Sequence, residues 1–192
     1  MGSFQIDTVK TALVVIDLQK GITGIPAEPY AADVVVENAA KLASIFRKMG
    51  MPVFLVRVSP SHDRKDLLSP ILDSPPQWTI PQTAGWADIV PELGPESGDF
   101  IITKHQWGAF YGTNLDLQLR RRGIDTIVLC GISTSAGVES TARFAYEYGY
   151  QQIFVEDACS ARAKADHEHT MKNVFPRIGR IRKTDEILSA LI

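Results

Sequence analysis

The stretch Ala12-Leu13-Val14-Val15-Ile16-Asp17 decides the fold. Its apolar residues run without a polar interruption, the pattern of a central strand buried on both faces of a parallel sheet. The run ends abruptly on an acid, Asp17. Downstream, residues 34–49 place Val36, Ala39, Leu42, Ile45 and Phe46 at helical spacing, and Gly50 followed by Pro52 stops that helix. A second strand is predicted over 53–58. Phe100-Ile101-Ile102-Thr103 forms a third that ends at Lys104, and Thr113 N-caps a helix through Leu115, Leu117 and Leu119 to Gly123. The alternation continues with a strand over 126–130, a helix over 136–148 stopped by Gly149, and a strand over 152–155. A helix over 167–174, a short strand over 178–181 and a terminal helix from Asp185 follow. Strands alternating with helices in this way predict βαβ units, hence an α/β fold with a parallel sheet covered on both faces. Residues 59–97 are rich in Pro and polar residues, contain Trp78 and Trp86, and read as a long excursion rather than a linker between domains; long loops in compact domains are often lids.

Composition narrows the function classes. A chain of 192 residues with 45% hydrophobic content buries one sizeable core and is short for two, so one domain over 1–192 is expected. The 20 basic and 22 acidic residues give a net charge of −2, which supplies no long-range attraction to nucleic acid or to a membrane surface. Small metabolites are the expected partners. The two cysteines, Cys130 and Cys159, are too few for a disulfide framework, lack zinc-site spacing and suit a reduced, intracellular protein. Met1-Gly2-Ser3-Phe4 lacks a signal-peptide pattern, and no apolar run approaches the ~20 residues that span a bilayer. A soluble cytoplasmic protein is expected.

Asp17, Lys104 and the turn Gly131-Ile132-Ser133-Thr134-Ser135-Ala136-Gly137 each follow the carboxyl end of a predicted parallel strand. Open α/β sheets bind their ligands at that edge. Taken singly, Asp17 reads as a loop acid and Lys104 as a solvated amine. Emerging together from central strands, they form a partly buried pair in which each perturbs the other's titration, either as a site or as a structural ion pair.

These pieces together resemble the isochorismatase-like (cysteine hydrolase) family over nearly the whole chain. The matching segments are Ala12-Leu13-Val14-Val15-Ile16-Asp17-Leu18-Gln19, Thr103-Lys104 followed by Trp107-Gly108-Ala109-Phe110-Tyr111-Gly112-Thr113, and Cys130-Gly131-Ile132-Ser133-Thr134 leading into Val138-Glu139-Ser140-Thr141-Ala142. The resemblance implies a three-layer α/β/α, Rossmann-like fold around a six-stranded, mainly parallel sheet. It implies a catalytic Asp, Lys and Cys, which fall on Asp17, Lys104 and, without the thiol, Gly137. It also implies a cis peptide near Ile132 and Ser133 whose neighbouring amides form an oxyanion hole, and a homo-oligomer.

Glycine at 137 removes the thiolate through which amidases of that family form an acyl-enzyme. Losing a catalytic nucleophile can cost on the order of 10⁶ in rate, so covalent amide hydrolysis is not expected here. Cys130 and Cys159 read as small core residues rather than substitutes. The family's second chemistry is hydrolysis of the vinyl ether of isochorismate to pyruvate and a ring diol; some of its enzymes run it without the thiol, with an Asp as general acid at the vinyl carbon, and the resemblance implies Asp17 for that role. Burial would raise the Asp17 pKa and Lys104 would lower it. Lys104 has the further options of orienting a substrate carboxylate or stabilising negative charge.

No cofactor and no metal are expected. His62 stands alone after the second strand, and His167 and His169, two apart on a predicted helix, face different directions. His105 beside Lys104 is predicted to alternate away from that amine. Trp107, Phe110 and Tyr111 suit a substrate pocket or a subunit interface equally. Arg120-Arg121-Arg122 ends a helix, where the macrodipole favours cations. Two functions stay open: a thiol-free hydrolase that uses Asp17 and Lys104 on a small metabolite, and a catalytically silent binding or assembly protein that keeps the fold.

Overall fold

The structure, a computed structural model, describes residues 4–75, 80–81 and 83–191; Trp78 falls outside them. Six strands form one sheet: β1 (Thr11–Ile16), β2 (Val53–Val58), β3 (Phe100–Lys104), β4 (Thr126–Ile132), β5 (Gln151–Ser160) and β6 (Arg180–Arg182). Every pairing is parallel and the order is β3-β2-β1-β4-β5-β6. All residues of β1 are buried, as its unbroken apolar run requires of a strand flanked on both sides. The helices are α1 (Lys20–Thr23), α2 (Ala32–Lys48), α3 (Leu115–Arg121), α4 (Glu139–Glu147), α5 (Lys164–His169) and α6 (Thr184–Leu191). Helix α2 buries Val35, Val36, Ala39, Leu42, Ala43 and Phe46 as one apolar stripe, and Gly50 leaves it at φ 70°. Strand order reverses between β1 and β4. Right-handed crossovers on the two sides of that reversal place their helices on opposite faces and open a crevice at the carboxyl ends of β1 and β4.

The structure lengthens two predicted strands and divides two predicted helices. β5 runs on past residue 155 because it bulges: from Leu129↔Phe154 to Gly131↔Cys159, β4 advances two residues while β5 advances five. The bulge holds Glu156 and Asp157, whose polarity mimics a strand end. Asp157 uses it to cap α6, accepting bonds from the amide and hydroxyl of Thr184 at 2.8 Å each, while its carbonyl takes Asn38 Nδ2 of α2 at 2.8 Å. β4 continues to Ile132 beside it. The helix predicted over 136–148 opens as a wide π-type turn, Thr134–Val138, before α4, and the helix predicted over 167–174 is α5 followed by a second such turn, Thr170–Val174. The first residue before α3 is Asn114, and the Thr113 hydroxyl accepts the Leu115 amide from one position earlier.

Gly131 shows how tightly β1 and β4 meet. It sits at φ 128°, and a Cβ there would lie 2.1 Å from the Ile16 carbonyl oxygen. Only glycine satisfies both the dihedral and the approach.

Candidate active site

β1 stops at Asp17 because the backbone turns there: φ is 54°, left-handed and uncommon for a residue with a side chain. The Asp17 amide still donates to Val56 O of β2 at 2.9 Å, so the turn is held from the sheet. This conformation, held by surrounding structure, aims the carboxylate into the crevice side of the sheet edge. Lys104, the last residue of β3, brings its amine to the same place. Asp17 is 6% exposed and Lys104 1%. Lys104 Nζ donates to Asp17 Oδ2 at 2.8 Å, to Gln106 O at 3.1 Å and to Trp107 O at 2.7 Å. An ammonium has three donors, so none is left for a substrate carboxylate. Asp17 Oδ1, by contrast, is buried without a partner among the described residues. Burial pushes the Asp17 pKa up; the charge of Lys104 and its hydrogen bond pull it back without cancelling the rise.

Gly137 faces this pair. A Cβ on it would lie 3.0 Å from Asp17 Oδ2, 3.1 Å from Ile16 Cγ2 and 3.5 Å from Lys104 Nζ. Any side chain at 137 therefore points into the ion pair, and glycine leaves that space clear. Ile132–Ser133 is a cis peptide, and Ser133 O then accepts both the Ala136 and Val138 amides at 3.1 Å. The Gly137 carbonyl takes the Thr141 hydroxyl at 2.7 Å, and that hydroxyl accepts the Ala109 amide at 3.1 Å. Thr141 thus ties the turn to the loop after β3.

That loop is pinned twice more. Gln106 Nε2 donates to Gly108 O at 2.8 Å and Tyr111 O at 2.7 Å, while Lys104 holds the 106 and 107 carbonyls. Of its aromatic residues, Phe110 is buried against the rings of Tyr148 and Tyr150, whereas Trp107 and Tyr111 are 63% and 71% exposed. Gln19, two residues past Asp17, is buried; its amide group donates to Val58 O at 3.1 Å and Trp86 O at 3.4 Å and accepts the Val58 amide at 2.8 Å. Gln19 and Thr141 lie inside the segments that carry the family resemblance, but nothing in those segments announces their bonding roles, and Gln106, half-buried beside exposed Trp107, gives no sequence signal at all.

The remaining candidates fall away from the pair. His105 lies 3.0 Å from Asp66 Oδ2 in an electrostatic contact without hydrogen-bond alignment, and the three bonds of the Lys104 amine go elsewhere. His62 is exposed; His167 is buried and His169 exposed, on different sides of α5. Cys130 and Cys159 are free and buried, and burial pushes the Cys159 thiol up to about 12 and Cys130 well above its usual value, so both stay protonated. Among the described residues no three His, Cys, Asp or Glu are grouped to hold a metal ion, and no helix is long and apolar enough to cross a membrane. Two surface hollows of about 370 and 470 Å³ lie around Val36 and Val90 and around Arg57 and Ile89, and neither is lined by Asp17, Lys104 or Gly137.

Comparison with known proteins bears on the fold and the family. The Isochorismatase domain matches residues 11–186. YwoC of Bacillus subtilis (strain 168), an uncharacterized isochorismatase family protein, is 53% identical over 98% of this chain and 97% of its own. The solved structure of an isochorismatase family protein from Burkholderia thailandensis superposes with a TM-score of 0.92 at 41% identity, covering 97% of each chain. That of N-carbamoylsarcosine amidase from Thermoplasma acidophilum gives 0.76 at 31% identity over 92% of this chain and 97% of the other. A six-stranded parallel sheet, an acid and an amine at its carboxyl edge, and these likenesses lead to one conclusion: the chain belongs to the isochorismatase family of hydrolases.

Proposed function

We propose that the protein hydrolyses a small metabolite without a thiol, with Asp17 as general acid and Lys104 as its buried counter-ion, on a vinyl ether of the isochorismate kind. The observation that carries this reading is Asp17 Oδ1, a buried carboxyl oxygen without a protein partner beside an Oδ2 already engaged by Lys104. Burial raises this pKa, so a proton on Oδ1 persists to higher pH than on a surface acid and is aimed away from the amine. Its transfer to the terminal vinyl carbon creates a methyl group and an oxocarbenium centre. Water adds its oxygen at that centre and returns one proton to Asp17. Its second proton passes to the departing ether oxygen as the hemiketal opens to pyruvate and the ring alcohol. The room left by Gly137 is where substrate or water would approach the pair. Amides beside Ile132 and Ser133 are assigned to an oxygen of the substrate, and the loop bearing Trp107, Phe110 and Tyr111 to the pocket wall. The exposure of Trp107 and Tyr111 supports a homo-oligomer in which a second copy covers them, and the two free thiols support a cytoplasmic setting.

An amidase reaction like that named for the Thermoplasma protein is disfavoured because position 137 offers no nucleophile for an acyl-enzyme. The same missing thiol favours the second reading, a binding protein without turnover. Both are tested by offering isochorismate and a panel of small carboxamides to the wild type and to Asp17→Asn, with products read by mass spectrometry. Pyruvate release that falls at least ~10²-fold in a folded Asp17→Asn is the expected result, the size coming from loss of a general acid, ~10² to 10⁴. Amide hydrolysis, or pyruvate release untouched by the substitution, overturns it; no turnover of any member moves the weight to the binding protein.

A further inference from the structure

His167 is a buried imidazole that the chemistry above does not use. It is 2% exposed on α5, and its Nε2 has no partner among the described residues. A buried ring nitrogen left unpaired carries a desolvation penalty that Phe or Leu at the same place would not. The packing it provides, an edge-on contact with the Tyr30 ring at 5.9 Å, is equally available to an apolar ring. What histidine adds is one bond: Nδ1 lies 2.9 Å from the hydroxyl of Thr134, itself fully buried. Thr134 is the first residue of the turn that carries Gly137. Three residues on from His167, and so on the same helical face, buried Thr170 donates its hydroxyl to Glu139 Oε2 at 2.7 Å. Glu139 is the first residue after that turn.

One face of one helical segment therefore grips both ends of the Thr134–Val138 turn. Inside the grip the turn is held by Ser133 O and by Thr141 on the Gly137 carbonyl. A π-type turn has wider and less regular hydrogen bonding than an α-helix, so its placement depends more on such outside ties. We propose that His167 and Thr170 are positioning residues that set where the Gly137 backbone stands relative to Asp17 and Lys104. The inference rests on reading that turn as part of the site. It gives His167 a purpose that spacing and metal-ligand arguments do not.

The test uses a reporter that needs no substrate. In the full-length Gly137→Cys variant the new side chain points at Lys104 and Asp17, and the pH dependence of its alkylation by iodoacetamide reports its distance from those charges. Cys130 and Cys159, buried and protonated, react slowly and stay out of the signal. Adding His167→Leu or Thr170→Val is expected to move the alkylation midpoint by about one pH unit, or the rate at pH 7 by about tenfold. His167→Asn, which keeps a polar atom near the Nδ1 position, and Thr170→Ser, which keeps the donor, are expected to restore the parent profile. A general loss of stability would not shift the midpoint of the folded fraction, nor be rescued this selectively. Thr170→Val is nearly isosteric, so it decides the matter if His167→Leu fails to fold. Profiles within twofold of the parent in Thr170→Val and in any folded His167→Leu overturn the proposal. Because the readout is alkylation, a failure of the hydrolase reading in the substrate panel leaves this result standing by itself.

Discussion

At Asp17 and Lys104 the two partners of one ion pair carry unequal structural weight. Asparagine at 17 keeps an acceptor for the amine and removes the counter-charge, whereas methionine at 104 strips a buried carboxylate of its cation and leaves the Gln106 and Trp107 carbonyls without their donor. Breaking a buried pair costs about 3–5 kcal/mol, and each orphaned buried carbonyl adds about 1–3. Lys104→Met is therefore expected to be at least ~2 kcal/mol more destabilising than Asp17→Asn in urea denaturation. Equal costs would show that the amine serves Asp17 alone and does not anchor the loop after β3. The pair was legible in the chain because each residue terminates a strand. The saturation of the ammonium was not, since the carbonyls that consume its donors are backbone groups that any residue supplies.

At the scale of elements, the end of the 59–97 excursion is strapped onto the exit of β1. Lys20 N bonds Asp88 O at 2.9 Å, Gly21 N bonds Trp86 O at 2.9 Å and Val90 N bonds Leu18 O at 3.1 Å. The Trp86 indole lies flush on α1 only because residue 21 has no side chain: a Cβ there would fall 2.0 Å from its Nε1. An indole is too rigid to yield by bending, so Gly21→Ala is expected to unseat Trp86 and free the strap. Limited proteolysis should then cut within 59–97 at least fivefold faster, while the urea midpoint of the sheet moves little, because local opening and global unfolding are separate equilibria. Unchanged cleavage would mean that the backbone ladder alone holds the strap. The excursion was recognisable by its Pro-rich composition. Its docking was not, because Gln19 and Trp86 are 67 residues apart and no local pattern encodes that contact.

Across the whole molecule, two buried groups give stability opposite dependences on pH. Burial lowers the His167 pKa, so on acidification the unfolded chain takes up this proton first; its contribution is intact above about pH 6.5 and declines as pH falls below that value. Burial raises the Asp17 pKa, so the folded chain keeps that proton longer; its contribution is intact below the ordinary aspartate value of 3.8 and declines as pH rises through the raised folded value. The thermal midpoint of the wild type minus that of His167→Asn, which cannot titrate, isolates the first effect. That difference is expected to shrink steadily from pH 7.5 to pH 5.5; a flat difference would place the imidazole in water-like surroundings.

The architecture followed from patterns that are local by nature. An unbroken apolar run such as residues 12–16 has nowhere to go but the centre of a sheet, and a Gly after a helical stripe stops it, so the order of the strands along the chain, the long helix α2 and the carboxyl-edge placement of Asp17, Lys104 and Gly137 were readable directly. Only the tertiary structure decided that β5 bulges through Glu156 and Asp157, that Gln106 and Thr141 lace the loops around the site, that Asp17 Oδ1 stays unpartnered, and that His167 reaches Thr134. These depend on contacts between residues distant along the chain, where burial and hydrogen-bond geometry, rather than periodicity, select the partner.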